Sequence, residues 1–299
     1  MTGQWTEAKT PMAHREILDT PEITAWLQGQ QPVWRLLDVS SFARLIREAA
    51  TEDGTIIIAD SLPAAALAES TVLTHARLLL RHAATGRGLK LTQRGNLART
   101  VVATMLDAFR WPGYGPTDPP MFYAVVNEPD FLPLYFLRLT MEEAGLLEPH
   151  KGYLRPSALG HLLADEARAG ELQALLFRTT FWRLNLAFFD GLPIDPWPQI
   201  NVNVILWCLS LAASRWEKPS VLMRQCAVPV MEVLYPSWDF PTAAFEHRIL
   251  RTLSLFGLLE VSVDDAVRPG DHRRYRKAGL FDRMLSFSVT IDIGDAPVH

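Results

Sequence analysis

The sequence predicts a mainly α-helical fold with small β-hairpins, arranged as tandem units in which a helix, a hairpin and a capped helix follow one another. Three observations predict it. Apolar residues recur at helical spacing in most of the chain, in blocks separated by loops rich in proline and tryptophan. Period-two alternation, the strand signal, is confined to Leu259, Val261 and Val263 and to Phe287, Val289, Ile291 and Ile293. Two short phrases also recur along the chain, each at a junction where a helix meets a strand.

The elements can be justified in order. Thr20 is a helix cap with Pro21 at the first position, so a short helix is expected over 21–28. A second is expected over 40–50, with Leu45, Ile46 and Ala49 on one face. After Asp53-Gly54, residues 55–59 are β-rich and read as a short strand. Residues 62–83 read as one long helix with Leu67, Val72, Leu78 and Leu79 on its buried side. Further helices are expected over 95–109, 129–144, 157–169, 171–189, 200–214, 220–234 and 242–256. Between them lie Trp111–Pro120, Asp190–Pro198 and Tyr235–Pro241, which combine turn formers with aromatic anchors and so read as ordered loops.

The recurrent phrases give the organisation. Leu89, Thr92, Gly95 and Leu97 match Leu154, Ser157, Gly160 and Leu162. A strand should end at the leading Leu, and the hydroxyl residue should cap a helix whose first turn holds the Gly. Separately, Ala144-Gly145-Leu146-Leu147-Glu148 is echoed by Phe256-Gly257-Leu258-Leu259-Glu260. In each, a helix should end at a left-handed Gly and a strand should leave it. A tight turn, Pro149–Gly152, returns the first strand. The second hairpin is longer, with its tip at 264–271 and its return at 273–276. Helix, hairpin and capped helix in this order resemble the wing region of winged-helix proteins, and Leu89–Gly95 resembles the strand-to-helix phrase of MarR-type regulators. The whole, over roughly residues 60–290, resembles an uncharacterised bacterial family, some members of which accompany the plasmid pRiA4b ORF-3-type domain. The resemblance implies tandem winged-helix-like units and no particular activity. The expected divisions are an N-terminal helical segment at 1–60, units at 61–120 and 121–195, and a helical segment with a degenerate third unit at 196–299.

Composition bounds the function. The chain has 299 residues, is 48% hydrophobic and 21% charged, and carries a formal charge of −4, so no global basic field draws it to nucleic acid. Cys208 and Cys226 sit in apolar company without a CxxC or Cys/His cluster and read as buried free thiols of a reducing compartment. No apolar stretch reaches membrane-spanning length and the N-terminus has no signal-peptide pattern, so the expectation is a cytoplasmic protein with no membrane partner. No catalytic, cofactor or metal motif stands out. His161 and Asp165, four apart, lack a third ligand and read as helix surface. Asp264-Asp265 reads as turn chemistry.

What remains is local charge. Arg87, Lys90 and Arg94 surround the first phrase. Arg248 and Arg251 lie on the helix before Gly257, and Arg273, Arg274, Arg276 and Lys277 on the last hairpin. Basic wings and the helix preceding them are where such proteins meet phosphates and bases. The helix before Gly145, with Arg138, Glu142 and Glu143, is the poorer candidate. The expectation is a non-enzymatic macromolecule-binding protein that contacts nucleic acid through these residues. The alternative is a protein-interaction scaffold, for which nine tryptophans and 21 prolines supply anchors. An enzyme of unrecognised type is the third class. The oligomeric state stays open.

Overall fold

The computed structural model describes residues 20–47, 53–114, 126–235, 239–264 and 272–292. It is mainly α-helical with small antiparallel sheets. Trp238, Asp265, Ile293 and the expected hairpin tip beyond Asp264 lie outside the described residues, as do 115–120 of the first expected loop.

Of the N-terminal helices the first forms as read and the second stops at Ile46, short of the expected 50, with Ala49 outside the described residues. In α1 (Pro21–Leu27) the Thr20 hydroxyl accepts from the Ile23 N–H. In α2 (Val39–Ile46) Asp38 accepts from the Ser41 N–H at 2.6 Å. Strand β1 (Ile56–Ile58) pairs with β7 (Leu285–Phe287), so the start and end of the described chain close on each other. The expected long helix over 62–83 is shorter. Ala64–Leu67 is a 3-10 turn and α3 spans Thr71–Ala84, because Ser70 leaves helical geometry and accepts from the Leu73 N–H. A cap within an apolar run overrides the periodicity on either side of it.

From α3 the chain runs through β2 (Leu89–Lys90), α4 (Arg99–Ala108), α5 (Leu132–Glu143), β3 (Leu147–His150) and β4 (Tyr153–Pro156). The three strands form one sheet in the order β2-β4-β3. Leu89 faces Leu154 across it, so the leading residues of the two similar phrases are neighbours in one sheet. The expected division at 120/121 therefore cuts through a single sheet. Thr92 does not cap α4. Its N–H and C=O close a tight turn with Asn96 and Gly95, and α4 begins later, at Arg99. Ser157 does cap α6 (Ala158–Leu163), accepting from the Gly160 N–H. A Cβ at Gly160 would lie 2.1 Å from the Leu146 carbonyl oxygen, which is the close approach that requires glycine there.

Helix α7 (Ala169–Trp182) is buried on nearly every side and forms the spine. It packs on α3 and α5, and its Phe177 meets Phe256 at 5.2 Å. Gln173 accepts from the Ser70 hydroxyl and donates to the Phe256 carbonyl, tying the start of α3 to the end of the last long helix.

Beyond it, α8 (Val202–Ala212), the bridging residue Glu217, α9 (Pro219–Cys226), α10 (Met231–Leu234), the rod α11 (Phe240–Phe245)–Glu246–Arg251–α12 (Thr252–Leu255), β5 (Leu259–Val263) and β6 (Arg273–Lys277) follow. Pro229 interrupts what reads as one helix over 220–234. Glu217 pairs with Tyr275 of β6, on the side of β6 away from β5. The order helix, short strand, helix, helix, hairpin, with the first strand paired to the hairpin's return strand, is thus the order of α3 to β4. Among the described residues, α10 is the helix that the second block has and the first does not. The backbone bonds agree: Leu146 N–H to Met141 O and Ser157 N–H to Leu146 O in the first block correspond to Leu258 N–H to Leu253 O and Ala278 N–H to Leu258 O in the second. Gly145 and Gly257 hold φ of 70° and 77°. α13 (Gly279–Met284) then leads into β7. One contiguous apolar core runs from Ile23 to Leu285.

Candidate nucleic-acid interface

Two hairpins and the helices before them are where the basic candidates should lie. Around the second hairpin one of them is buried and four more are engaged by acidic side chains. Arg248, on the π-helical stretch Glu246–Arg251, is 1% exposed. Its guanidinium forks onto Asp190 at 2.8 and 3.0 Å and donates to the carbonyls of Leu192, Ile194 and Trp197. It cannot meet a phosphate, and its expected place in a binding surface is corrected: five donors find a complete set of acceptors in the 190–197 loop. Arg251 and Arg273 both approach Glu246 Oε1, at 3.5 and 3.3 Å. Tyr275 donates its hydroxyl to the same oxygen at 2.9 Å, and burial together with that carboxylate pushes its phenol far above its usual pKa. Arg276 meets Glu260 at 2.5 Å and lies 4.7 Å from the Trp216 ring centre. Lys277 bonds Asp282 and the Ser210 carbonyl, both at 2.8 Å. Of this group Arg274 is exposed and has no ion pair among the described residues.

Around the first hairpin the geometry differs. Arg87, Lys90 and Arg94 are all exposed. Strand pairing adds two residues that are remote in sequence. Lys90 sits opposite Tyr153, and the Leu91 N–H donates to the Gly152 carbonyl, next to Lys151 at the hairpin turn. That turn is two residues long, Lys151-Gly152, with φ of 49° and 80°, the left-handed pair of a type I′ hairpin turn. Arg155 donates from Nε to the Arg87 carbonyl at 3.0 Å and from Nη2 to the Gly86 carbonyl at 3.1 Å. Its hydrogen bonds are spent on neutral carbonyls, so its charge is retained. Arg87 and Arg155 thus lie at the base of the β2-β4 ladder, Lys90 and Lys151 lie toward the hairpin turn, and Arg94 sits in the turn after β2, with Glu148 opposite Arg155 on β3. Sequence reading assigns Lys151 and Arg155 to a different unit from Lys90. The signal that joins them is the match of Leu89 with Leu154.

The helices that precede the two hairpins are not open. In α5, Arg138 is buried between Glu128 and Glu142, and Glu128 also accepts from the Leu97 N–H at 2.6 Å. Burial raises the Glu128 carboxyl, with Arg138 opposing. Only Glu143 of α5 is exposed. In the rod before Gly257, His247 is the one exposed residue.

Cys208 and Cys226 are free and buried, and burial pushes both thiols well up. His161 is exposed and Asp165 caps the next 3-10 turn, so the two do not share a helix. Among the described residues there is no cluster of three His, Cys, Asp or Glu placed to hold a metal, and no helix is long and apolar enough to cross a membrane.

Residues 68–169, from just before α3 to the first residue of α7, are similar to a family described as the Y4jL N-terminal domain. No curated protein and no solved structure matches the chain.

Proposed function

We propose that the chain is a non-enzymatic, macromolecule-binding protein built on two winged-helix-like units, α3–β4 and α8–β6, and that the first unit's wing contacts nucleic-acid backbone. The shared element order and the strand order β2-β4-β3 support the winged-helix reading. The MarR-like phrase at 89–95 then supplies the unit's first strand and turn. The observation that carries the nucleic-acid reading is that Arg87, Lys90, Lys151 and Arg155, from two remote segments, line the β2-β4 side of one sheet, with exposed Arg94 in the turn after β2. Because α5 exposes so little, the contact is to phosphates, with no base readout, and is therefore sequence-independent.

Binding of a generic DNA duplex, measured by fluorescence anisotropy over a salt series, tests this. Binding should appear at low ionic strength and weaken as salt rises. Lys90→Glu with Lys151→Glu should abolish most of it and reduce the salt slope by about one for each phosphate no longer neutralised. Arg276→Glu should leave it unchanged, since that charge is already paired. Absence of binding at low salt, or indifference to the Lys90/Lys151 reversal, would sink the proposal. A second reading, a protein-interaction scaffold, is favoured by the closed recognition helices and by aromatic side chains left at the surface, such as Phe188 at 63% exposure beside Tyr135. It predicts a protein partner that the charge reversals do not displace.

A further inference from the structure

The two wings differ at their outer edges. Bonds of Leu258 with Ala278 and of Asp264 with His272 fix the phase of the β5–β6 ladder. Residues 258, 260, 262 and 264 bond β6, so the backbone groups of 259, 261 and 263 point away from it. In the first wing, the Leu146–Ser157 bond fixes the phase equally, and 147 and 149 point outward. Residue 149 is proline, which has no N–H to offer a further strand, and prolines on exposed edges prevent strand addition. The position matching Pro149, counted from Gly145 and Gly257, is Val261. The second wing therefore has an N–H where the first has none, and it carries Val261 and Val263 at 40% and 52% exposure on the same face.

We infer that β5 is a self-association edge, and that its occupant is β5 of a second copy of this chain, antiparallel, with Val261 opposite Val261. Charge selects both partner and register. In this register Glu260 of one copy lies opposite Ser262 of the other, in a cross-strand row that runs Arg276, Glu260, Ser262 and then Arg274 of the second copy. Arg274, which has no ion pair among the described residues, gains a carboxylate one strand away. Sliding by two in the other direction, to the pairing of 261 with 263, would oppose Glu260 to Asp264, two like charges. Val261 of each copy then lies against Val261 of the other, and Val263 lies opposite the other copy's Leu259. So short a seam gives a weak, concentration-dependent dimer.

Sedimentation equilibrium of the full chain from about 5 to about 500 µM should show a reversible monomer–dimer equilibrium. Val261→Pro removes an outward N–H and no β5–β6 bond. It should keep the far-UV spectrum and melting temperature while weakening dimerisation about tenfold or more. Val261→Glu, which keeps the N–H and sets like charges face to face, should do the same, and it carries the test if the proline variant fails to fold. A mixture of Glu260→Cys and Ser262→Cys chains should cross-link on mild oxidation, while either alone should not. A monomer over the whole range, a dimer that neither Val261 variant weakens, or cross-linking of a single variant to itself at the rate of the mixture would overturn the inference.

Discussion

Arg248 reads from its neighbours as part of a basic helix face, yet its whole guanidinium is consumed inside the protein. Its acceptors come from a loop about 58 residues earlier, so nothing local reports them. Replacing it with Met should leave Asp190, 7% exposed on its side chain, as an uncompensated buried charge. The expected loss is about 3–5 kcal/mol by urea unfolding, with Asp190→Asn costing less in the Met background than in the wild type. His75 makes a second residue-scale case. It is 4% exposed, its Nδ1 lies 2.7 Å from the Thr71 carbonyl, and its Nε2 accepts the Arg110 N–H at 2.9 Å. Burial, with the Arg110 charge as a smaller contribution, lowers its pKa below the usual 6.5. A depressed folded pKa means that the unfolded chain takes up the proton first. The stabilisation is therefore complete above about pH 6.5 and is lost as pH falls through the folded value. Wild-type stability should fall between neutral and mildly acidic pH, and His75→Phe should flatten that part of the profile; an unchanged slope would remove His75 as its source.

At the level of elements, the ends are the legible part. Thr20, Ser157, Gly145 and Gly257 act where the capping rules place them, because a cap is a bond between near neighbours in sequence. Ser70 carries the same local signature, but apolar periodicity continues across it and masks the break. Its hydroxyl both caps α3 and donates to Gln173. Ser70→Ala should cost about 1–2 kcal/mol, with Ser70→Thr recovering part of it. Thr92 shows the converse. A hydroxyl residue in the right place fails to cap because Leu91 and Leu97 bridge each other and close the turn first. The exposed candidates Arg87, Lys90 and Arg94 can be found by composition. Their association with Lys151 and Arg155 cannot, because it depends on which strands pair.

Over the whole molecule, α7 and the Ser70–Gln173–Phe256 chain of bonds join the two blocks into one core, with Gly257 packed against Glu69 and Ser70. Equilibrium unfolding should accordingly be a single transition, with tryptophan fluorescence from Trp111, Trp197 and Trp207 coinciding with far-UV circular dichroism; two separated midpoints would show that the blocks fold independently. By itself the sequence determined the helical class, the hairpins and most helix termini, since each is set by periodicity or by bonds within a few residues. It also contained both recurrences without saying what they meant. The tertiary structure decided that Leu89 and Leu154 are partners across one sheet, while Gly145 and Gly257 each end a helix in left-handed geometry ahead of a hairpin. It decided, too, which arginines face water. Strand pairing and charge burial are settled by backbone and side-chain partners tens of residues away, and a local pattern is blind to these.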